Sequence, residues 1–75
     1  MTVLAQMDRE DLLRWRMVVV RFHALQLNPG AYSQRETEEI LRDKLSLEIE
    51  FASKYDLPPD QDWHLDPISG VVYVN

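Results

Sequence analysis

A run of alternating polar residues near the C-terminus is the first arrangement that could do chemistry. Asp60, Asp62, His64 and Asp66 occupy every second position. Because alternate side chains of an extended strand point to one side, these groups could gather around a divalent cation. The run lacks the glycine and the distal Glu of a calcium loop. The alternative is the solvated face of an edge strand, kept polar against aggregation. We favour that alternative and expect neither metal nor cofactor.

Arginines in the N-terminal third form the second candidate. Such a stripe could bind a phosphate-bearing ligand such as a nucleotide, because guanidinium groups pair with phosphate and neighbouring aromatic rings stack on bases. The ligand-binding residues of that hypothesis are Arg14, Arg16, Arg21 and His23, with Arg9 nearby. The alternative, which we favour, is that the arginines pair with the plentiful acids of the second half of the chain.

Motifs for catalysis are missing from the sequence. The chain has two histidines, no cysteine and no Gly-x-Ser-x-Gly motif, and its two glycines cannot build a phosphate-binding loop. The adjacent acids Glu38 and Glu39 fall in a predicted helix start, where the helix dipole favours negative charge. We therefore expect a protein that is not an enzyme.

Length and composition indicate a small folded domain that gains stability from association. The 75 residues are near the lower limit for a self-sufficient core, and without cysteine there are no disulfides to help. Oligomerisation is the expected supplement. The apolar share of 45% is typical of a folded chain.

The charge distribution bears on partners and location. The net charge is −5, with a balance of +1 over residues 1–27 and of −6 over residues 28–75. Such a chain repels phosphate backbones, so nucleic-acid binding is disfavoured. No apolar run is long enough to span a membrane, and the N-terminus lacks the basic start of a signal peptide. We expect no membrane association.

The first predicted element is a helix over residues 8–27, opened by the acidic residues Asp8, Glu10 and Asp11. A β-branched run at 17–20 makes a strand over 14–23 the competing interpretation. The helix is apolar on two sides, which predicts two partners. One arc comprises Leu12, Leu13, Met17, Val20, Ala24 and Leu27, and the other comprises Trp15, Val18, Val19, Phe22 and Leu25.

A turn over 28–32 leads to a second helix over residues 33–55. Ser33 and Glu36 form a capping box, and Pro58 with Pro59 ends the pattern. The short connection is typical of antiparallel helices. This helix also has two apolar stripes. The first is Leu41, Leu45, Ile49 and Ala52, and the second is Ile40, Leu47 and Phe51. The surplus stripes indicate either self-association or cover by the C-terminal segment.

Residues 62–74 are predicted to form a β-hairpin. Asp66-Pro67-Ile68-Ser69-Gly70 has turn chemistry, and Val71–Val74 is rich in strand formers. We expect this last strand to offer an open edge to a partner. Residues 1–7 suit either a first helical turn or an extended arm. The predicted fold is a mainly α single domain, with a minor β part: an antiparallel two-helix hairpin followed by a C-terminal β-hairpin.

Residues 55–63, Tyr-Asp-Leu-Pro-Pro-Asp-Gln-Asp-Trp, and residues 66–72, Asp-Pro-Ile-Ser-Gly-Val-Val, carry a resemblance. They resemble the ends of small tailed-bacteriophage proteins, in which a helix closes on Tyr-x-Leu and leads to an Asp-Pro-x-x-Gly-x-Val hairpin. The resemblance implies a virion component or an accessory protein acting on a host target, located in the host cytoplasm or the virion. It carries over no catalytic residues.

Together these patterns predict a non-catalytic interaction or assembly protein that binds itself, and also another protein, through spare helical faces. The alternatives are a small-ligand or nucleotide binder using the arginines, and a metal site at Asp60, Asp62 and His64. The expected interface residues are Trp15, Val19, Phe22, Ile40, Leu47, Phe51, Trp63 and Tyr73.

Overall fold

Two antiparallel helices and a three-stranded sheet make up the protein. The computed structural model describes all residues from Met1 to Asn75. In chain order the elements are strand β1 (Thr2–Gln6), helix α1 (Arg9–Leu27), helix α2 (Gln34–Lys54), strand β2 (His64–Leu65) and strand β3 (Val71–Val74). A short 3-10 helix, Pro29–Ala31, lies between α1 and α2. The predicted class, mainly α with a minor β part, is confirmed.

Helix α1 begins and ends where local sequence signals place its boundaries. The Asp8 carboxylate caps the first turn by accepting a 2.9 Å hydrogen bond from the backbone N–H of Asp11. The helix then continues without interruption through residues 17–20, so the competing strand interpretation is wrong. Asn28 ends the helix, and its backbone N–H donates to the carbonyl of Ala24.

Both ends of helix α2 are capped. The predicted capping box is present, with Ser33 Oγ accepting from the N–H of Glu36 and the Glu36 carboxylate accepting from the N–H of Ser33, both at 3.1 Å. At the C-terminal end Asp56 adopts a left-handed conformation (φ 52°). The N–H of Leu57 donates to Ala52 O at 2.9 Å, and that of Asp56 donates to Ser53 O, the pattern of a Schellman motif.

The sheet contains the predicted hairpin, but its first strand is only His64–Leu65 and a third strand is added from the N-terminal segment. Thr2–Gln6 form strand β1, and the strand order is β1-β3-β2, with both pairs antiparallel. Strand β3 is therefore the central strand, and the expectation that it offers an open edge is wrong. Thr2 pairs with Val74 and Gln6 with Val71, with an irregularity between Val3 and Ala5. The strands β1 and β2 are the edges.

The turn between β2 and β3 is fixed to the start of α1. Gly70 has a φ of 79°, and its carbonyl accepts a 2.8 Å hydrogen bond from the N–H of Met7. The Asp66 carboxylate accepts a 2.9 Å bond from the N–H of Ile68 inside the turn. A Cβ atom on Gly70 would lie 3.2 Å from Met7 O, so the close approach of the two segments requires glycine here.

The core lies where both helices meet the sheet. Its buried members come from every part of the chain and are Met7, Leu12, Leu47, Phe51, Leu57 and Val72. Phe51 and Val72 have no exposed surface. Two of the six are Met7, which directly follows β1, and Val72 in β3. The sheet and its connection to α1 therefore cover one end of the helical hairpin, and the hairpin alone would leave that end open.

Candidate functional site

Three residues expected at a protein interface lie inside the protein instead. Ile40, Leu47 and Phe51 keep only 2%, 6% and 0% of their surface exposed. Their stripe on α2 faces α1 and the sheet, so the chain itself covers it. That part of the predicted interface is corrected: these side chains are not available to a partner.

The remaining predicted interface residues are half-buried and mostly packed within the chain. The Trp15 ring lies 6.1 Å from that of Phe51 and 5.7 Å from that of Trp63, centroid to centroid. The Tyr73 ring lies 5.5 Å from that of His64. The Lys44 ammonium is 4.7 Å from the centre of the Phe22 ring, an attractive cation–π contact. Val19 is also half-buried.

The arginines proposed to bind a ligand are engaged by the chain itself. Arg14 Nη2 donates a 2.9 Å hydrogen bond to Glu50, and Arg21 lies 3.4 Å from Asp43. Arg16 Nε donates at 2.6 Å to the carbonyl of Pro67. His23, the fourth residue of that hypothesis, is exposed. Arg14 and Arg21 thus pair with acids of α2, as the alternative interpretation expected, whereas Arg16 contacts neutral carbonyl groups of the β2–β3 turn, which it did not expect.

The alternating acids do not form a cluster. Of residues 60–66 only His64 and Leu65 are in strand conformation. Asp60 lies in a turn and Asp62 in irregular chain before β2, so the four side chains do not share a strand face. Asp66 instead closes the β2–β3 turn. No group of three or more His, Asp or Glu side chains is arranged to hold a metal ion. The single-face arrangement proposed for a metal site is therefore wrong.

A buried carboxylate joins the start of α1 to the end of α2. Asp11 is 4% exposed and accepts hydrogen bonds from the Tyr55 hydroxyl (2.7 Å) and from Lys54 Nζ (2.6 Å). Burial alone raises the pKa of Asp11, but the hydrogen bonds from Lys54 and Tyr55 outweigh it and lower that pKa below 3.8. The carboxylate is fully paired, which indicates a structural role.

A continuous apolar face remains uncovered on α1. Its members follow one another at intervals of four, three, four and three residues and are Leu13, Met17, Val20, Ala24 and Leu27. Met17, Val20 and Leu27 are 72%, 67% and 87% exposed. We call this face the α1 seam. Its spacing is that of the a and d positions of a heptad repeat, the positions that meet in coiled coils.

Basic side chains border the α1 seam on both sides. Arg9, Arg16 and His23 occupy the positions along one flank, and Arg14 and Arg21 occupy those along the other. In heptad notation, with Met17 at a and Val20 at d, these are the g and e positions. Side chains at e and g select the partner in coiled coils. The seam therefore combines an apolar centre with a charged border.

Sequence reasoning placed the seam residues in one arc but assigned the interface to the other. The sequence feature that distinguishes the buried arc of α1 from the exposed one is side-chain size. Trp15 and Phe22 lie in the arc that became internal, and aromatic side chains bury the largest areas. The heptad spacing of the opposite arc was the second available signal.

A second exposed apolar face lies on α2. Leu41, Leu45 and Ile49 are 47%, 58% and 62% exposed. Leu45 and Ile49 line a groove of about 410 Å³, whose other wall includes Pro58 and Trp63. The stripe of Ile40, Leu47 and Phe51, which was expected at an interface, is therefore buried within the chain. The other stripe of α2 is the exposed one.

Comparisons with known proteins add no assignment. A scan against protein-family models and searches of curated proteins and of solved structures all gave no match. Neither helix has the length and apolar character needed to cross a membrane.

Proposed function

We propose that this chain is a non-catalytic interaction or assembly protein that docks a partner helix along the α1 seam. The observation that supports the proposal most directly is the heptad spacing of five exposed or half-buried apolar residues between Leu13 and Leu27. Isolated exposed apolar residues are ordinary on protein surfaces, whereas a contiguous apolar patch marks an interaction site. Folding has already used the opposite face of α1, so this face is free for a partner.

The shape of the seam favours a helix as the partner. A stripe restricted to a and d positions is narrower than the face by which a helix packs on a globular core. An amphipathic helix matches such a stripe by inserting its own a and d side chains between those of α1. With a rise of about 1.5 Å per residue, the seam is about 21 Å long.

The size of the seam indicates a transient contact. Stable complexes bury about 800 Å² on each partner, and two heptads of one helix provide less than that. We therefore expect weak binding by the seam alone, strengthened where several copies act together on one assembly.

A peptide without charged flanks tests the seam directly. We would titrate the protein with a synthetic three-heptad peptide carrying Leu or Val at a and d and Gln at e and g, and follow backbone amide NMR shifts. The expected shifts concentrate on residues 13–27 of α1. Val20→Glu should abolish binding, because it places a charge in the centre of the apolar contact.

Leu45→Glu is the matched control, since Leu45 is 58% exposed but lies on the exposed apolar face of α2, away from the seam. It introduces the same charge and should leave binding unchanged. Equal loss of binding in both variants, or no amide shifts in the wild-type protein, would contradict the proposal.

Self-association through the α2 face is a second candidate. The face of Leu41, Leu45 and Ile49 is bordered by charges of both signs, Arg42 on one side and Glu48 on the other, so it does not repel a second copy. Sedimentation velocity should show a mass that rises with concentration and falls to that of a monomer in Leu45→Glu. A monomer at every concentration would rule this candidate out.

The resemblance of residues 55–72 to bacteriophage proteins suggests where the protein acts and which class of partner it binds. In a bacteriophage setting the partner is another virion component or a host protein, and the protein acts in the host cytoplasm or in the virion. Mass spectrometry of purified phage particles tests the virion location, since a structural component copurifies with the particle.

A further inference from the structure

We infer that the partner of the α1 seam is an amphipathic helix of another protein, with acidic side chains beside its apolar stripe. The inference rests on the proposed docking of a helix on the seam and concerns the chemistry of that helix. It comes from the charges along the two flanks of the seam. These charges have one sign, although the protein as a whole is acidic, with a net charge of −5.

The flank formed by Arg9, Arg16 and His23 contains two arginines that form no ion pair with a carboxylate of the chain. Arg16 is held by the carbonyl oxygens of Pro67 and Ile68, which are neutral. Arg9 and His23 are exposed and take part in no ion pair within the chain. A helix lying on the seam places its own flanking residues beside this row, where carboxylates are attracted.

The opposite flank is compatible with the same partner. Arg14 is paired with Glu50, and Arg21 lies 3.4 Å from Asp43. Both guanidinium groups are about half exposed, at 45% and 53%, so donor hydrogens remain free for a further acceptor. This flank is close to neutral and neither attracts nor rejects an acidic helix strongly.

A second copy of α1 is a poor occupant of the seam. In a parallel pair Arg16 of one copy would lie opposite Arg21 of the other, and Arg9 opposite Arg14. In an antiparallel pair centred on Val20, Arg16 would lie beside the His23 of the other copy. Neither arrangement brings a flanking carboxylate at an e or g position to Arg9 or Arg16, and the parallel one places arginines opposite arginines, so a second copy lacks the attraction that selects a coiled-coil partner.

An anionic membrane is the other occupant that an apolar stripe with basic flanks could take. Helices that lie in a bilayer surface bury a broad apolar face and carry most of their charge as Lys and Arg. The α1 seam is narrow, and the acidic excess of the rest of the chain is repelled by anionic lipid. The helix partner is therefore favoured.

Two peptides of opposite charge test the inference with the full-length protein. Both have three heptads and identical a and d residues, with Glu at e and g in one and Lys in the other. By isothermal titration at low ionic strength the Glu peptide should bind about tenfold more tightly, since each exposed ion pair contributes a factor of about two. The difference should shrink at 1 M salt, where the screening length is only about 3 Å.

Arg9→Glu combined with His23→Glu should remove most of the preference for the Glu peptide. Neither residue has an ion-pair partner, so the fold is expected to persist, and circular dichroism checks this. The control is Arg35→Glu combined with Arg42→Glu, which makes the net charge more negative away from the seam and should keep the preference.

Equal affinity for the two peptides, or tighter binding of the Lys peptide, would overturn the inference while leaving helix docking intact. Cosedimentation with phosphatidylserine vesicles in the absence of peptide binding would assign the seam to a membrane and overturn it too. If the Glu, Lys and Gln peptides all fail to bind, the proposed function itself is wrong.

Discussion

The Tyr55 hydroxyl donates a 2.7 Å hydrogen bond to the carboxylate of Asp11, a residue 44 positions away. The same hydroxyl accepts a 3.1 Å bond from the backbone N–H of Asp8. One phenol thus links the first turn of α1 to the residue that caps α2. The bond holds the open end of the helical hairpin together, at the end opposite to the 28–32 turn.

Removing the Asp11 carboxylate is expected to destabilise the protein. Asp11→Ala leaves the half-buried Tyr55 hydroxyl without its acceptor and removes one of the two carboxylates that Lys54 contacts, and an unsatisfied buried polar group costs about 1–3 kcal/mol. The free energy of unfolding in urea measures the effect. Asp60→Ala, at an exposed position, is the control and should change it by less than about 0.5 kcal/mol.

The same network predicts how stability depends on pH. The pKa of Asp8 is lowered by hydrogen bonds from the N–H of Asp11 and from Lys54, and that of Asp11 is also lowered. A lowered carboxyl pKa gives stability that is present above the unfolded pKa of about 4 and lost as the pH falls through the folded value. Thermal unfolding should therefore shift to lower temperature below about pH 4. If the melting temperature of Asp11→Asn falls with decreasing pH as steeply as that of the wild-type protein, the Asp11 carboxylate is not the cause of the acid destabilisation.

The raised pKa of Tyr55 predicts a loss of stability at high pH. Burial raises its pKa above 10.0, and the hydrogen bond to Asp11 raises it further. The neutral phenol is favoured in the folded state, so its contribution is present below about pH 10 and lost as the pH rises through the folded value. Tyr55→Phe should flatten the alkaline limb of the melting curve against pH.

Gly70→Ala should destabilise the protein. Gly70 has a φ of 79°, and an added Cβ would meet Gln6 Nε2 at 3.0 Å and Met7 O at 3.2 Å. A non-glycine residue in strained backbone costs about 1–3 kcal/mol. Chemical denaturation measures it, and a neutral result would show that the β2–β3 turn can shift away from Met7.

Asp56→Gly, which places a glycine at a left-handed position at the end of α2, should stabilise the protein. Asp56 takes the left-handed position of the Schellman motif, where glycine is preferred (φ 52°). Asp56→Gly removes the steric cost of the side chain, with an expected gain of about 0.5–1 kcal/mol. A rise of the melting temperature checks it. A fall would show that the Asp56 side chain contributes a contact that outweighs the strain.

The helix boundaries could be predicted because the signals that set them are local. Asp8, Ser33 and Glu36 cap backbone groups within three residues of themselves, and Pro58 cannot extend a helix. Each helix end is therefore determined by residues close to it in sequence. For the same reason the Asp66–Gly70 turn was predictable.

Strand β1 could not be predicted in this way. Thr2 pairs with Val74, at the opposite end of the chain, and nothing near residue 2 identifies so distant a partner. The choice between the inner and the outer arc of α1 was harder to predict than the helix boundaries, because both sides of the helix are apolar. Side-chain size was the available signal, and the packing of Trp15 against Phe51 and Trp63 agrees with it. Because the arc with Trp15 packs inward, the arc with the α1 seam is exposed and becomes the candidate site.

The central position of β3 has a consequence for synthesis. Residues 9–54 contain both helices, which can pair as soon as they leave the ribosome. Strand β1 is made before the helices, yet it has to wait for Val71–Val74, made after them, before its hydrogen bonds to that strand can form. Such late, distant pairing slows folding. Until then Met7 and Leu12 lack their cover from Val72, so a nascent chain stalled before residue 71 would expose part of its core to chaperones.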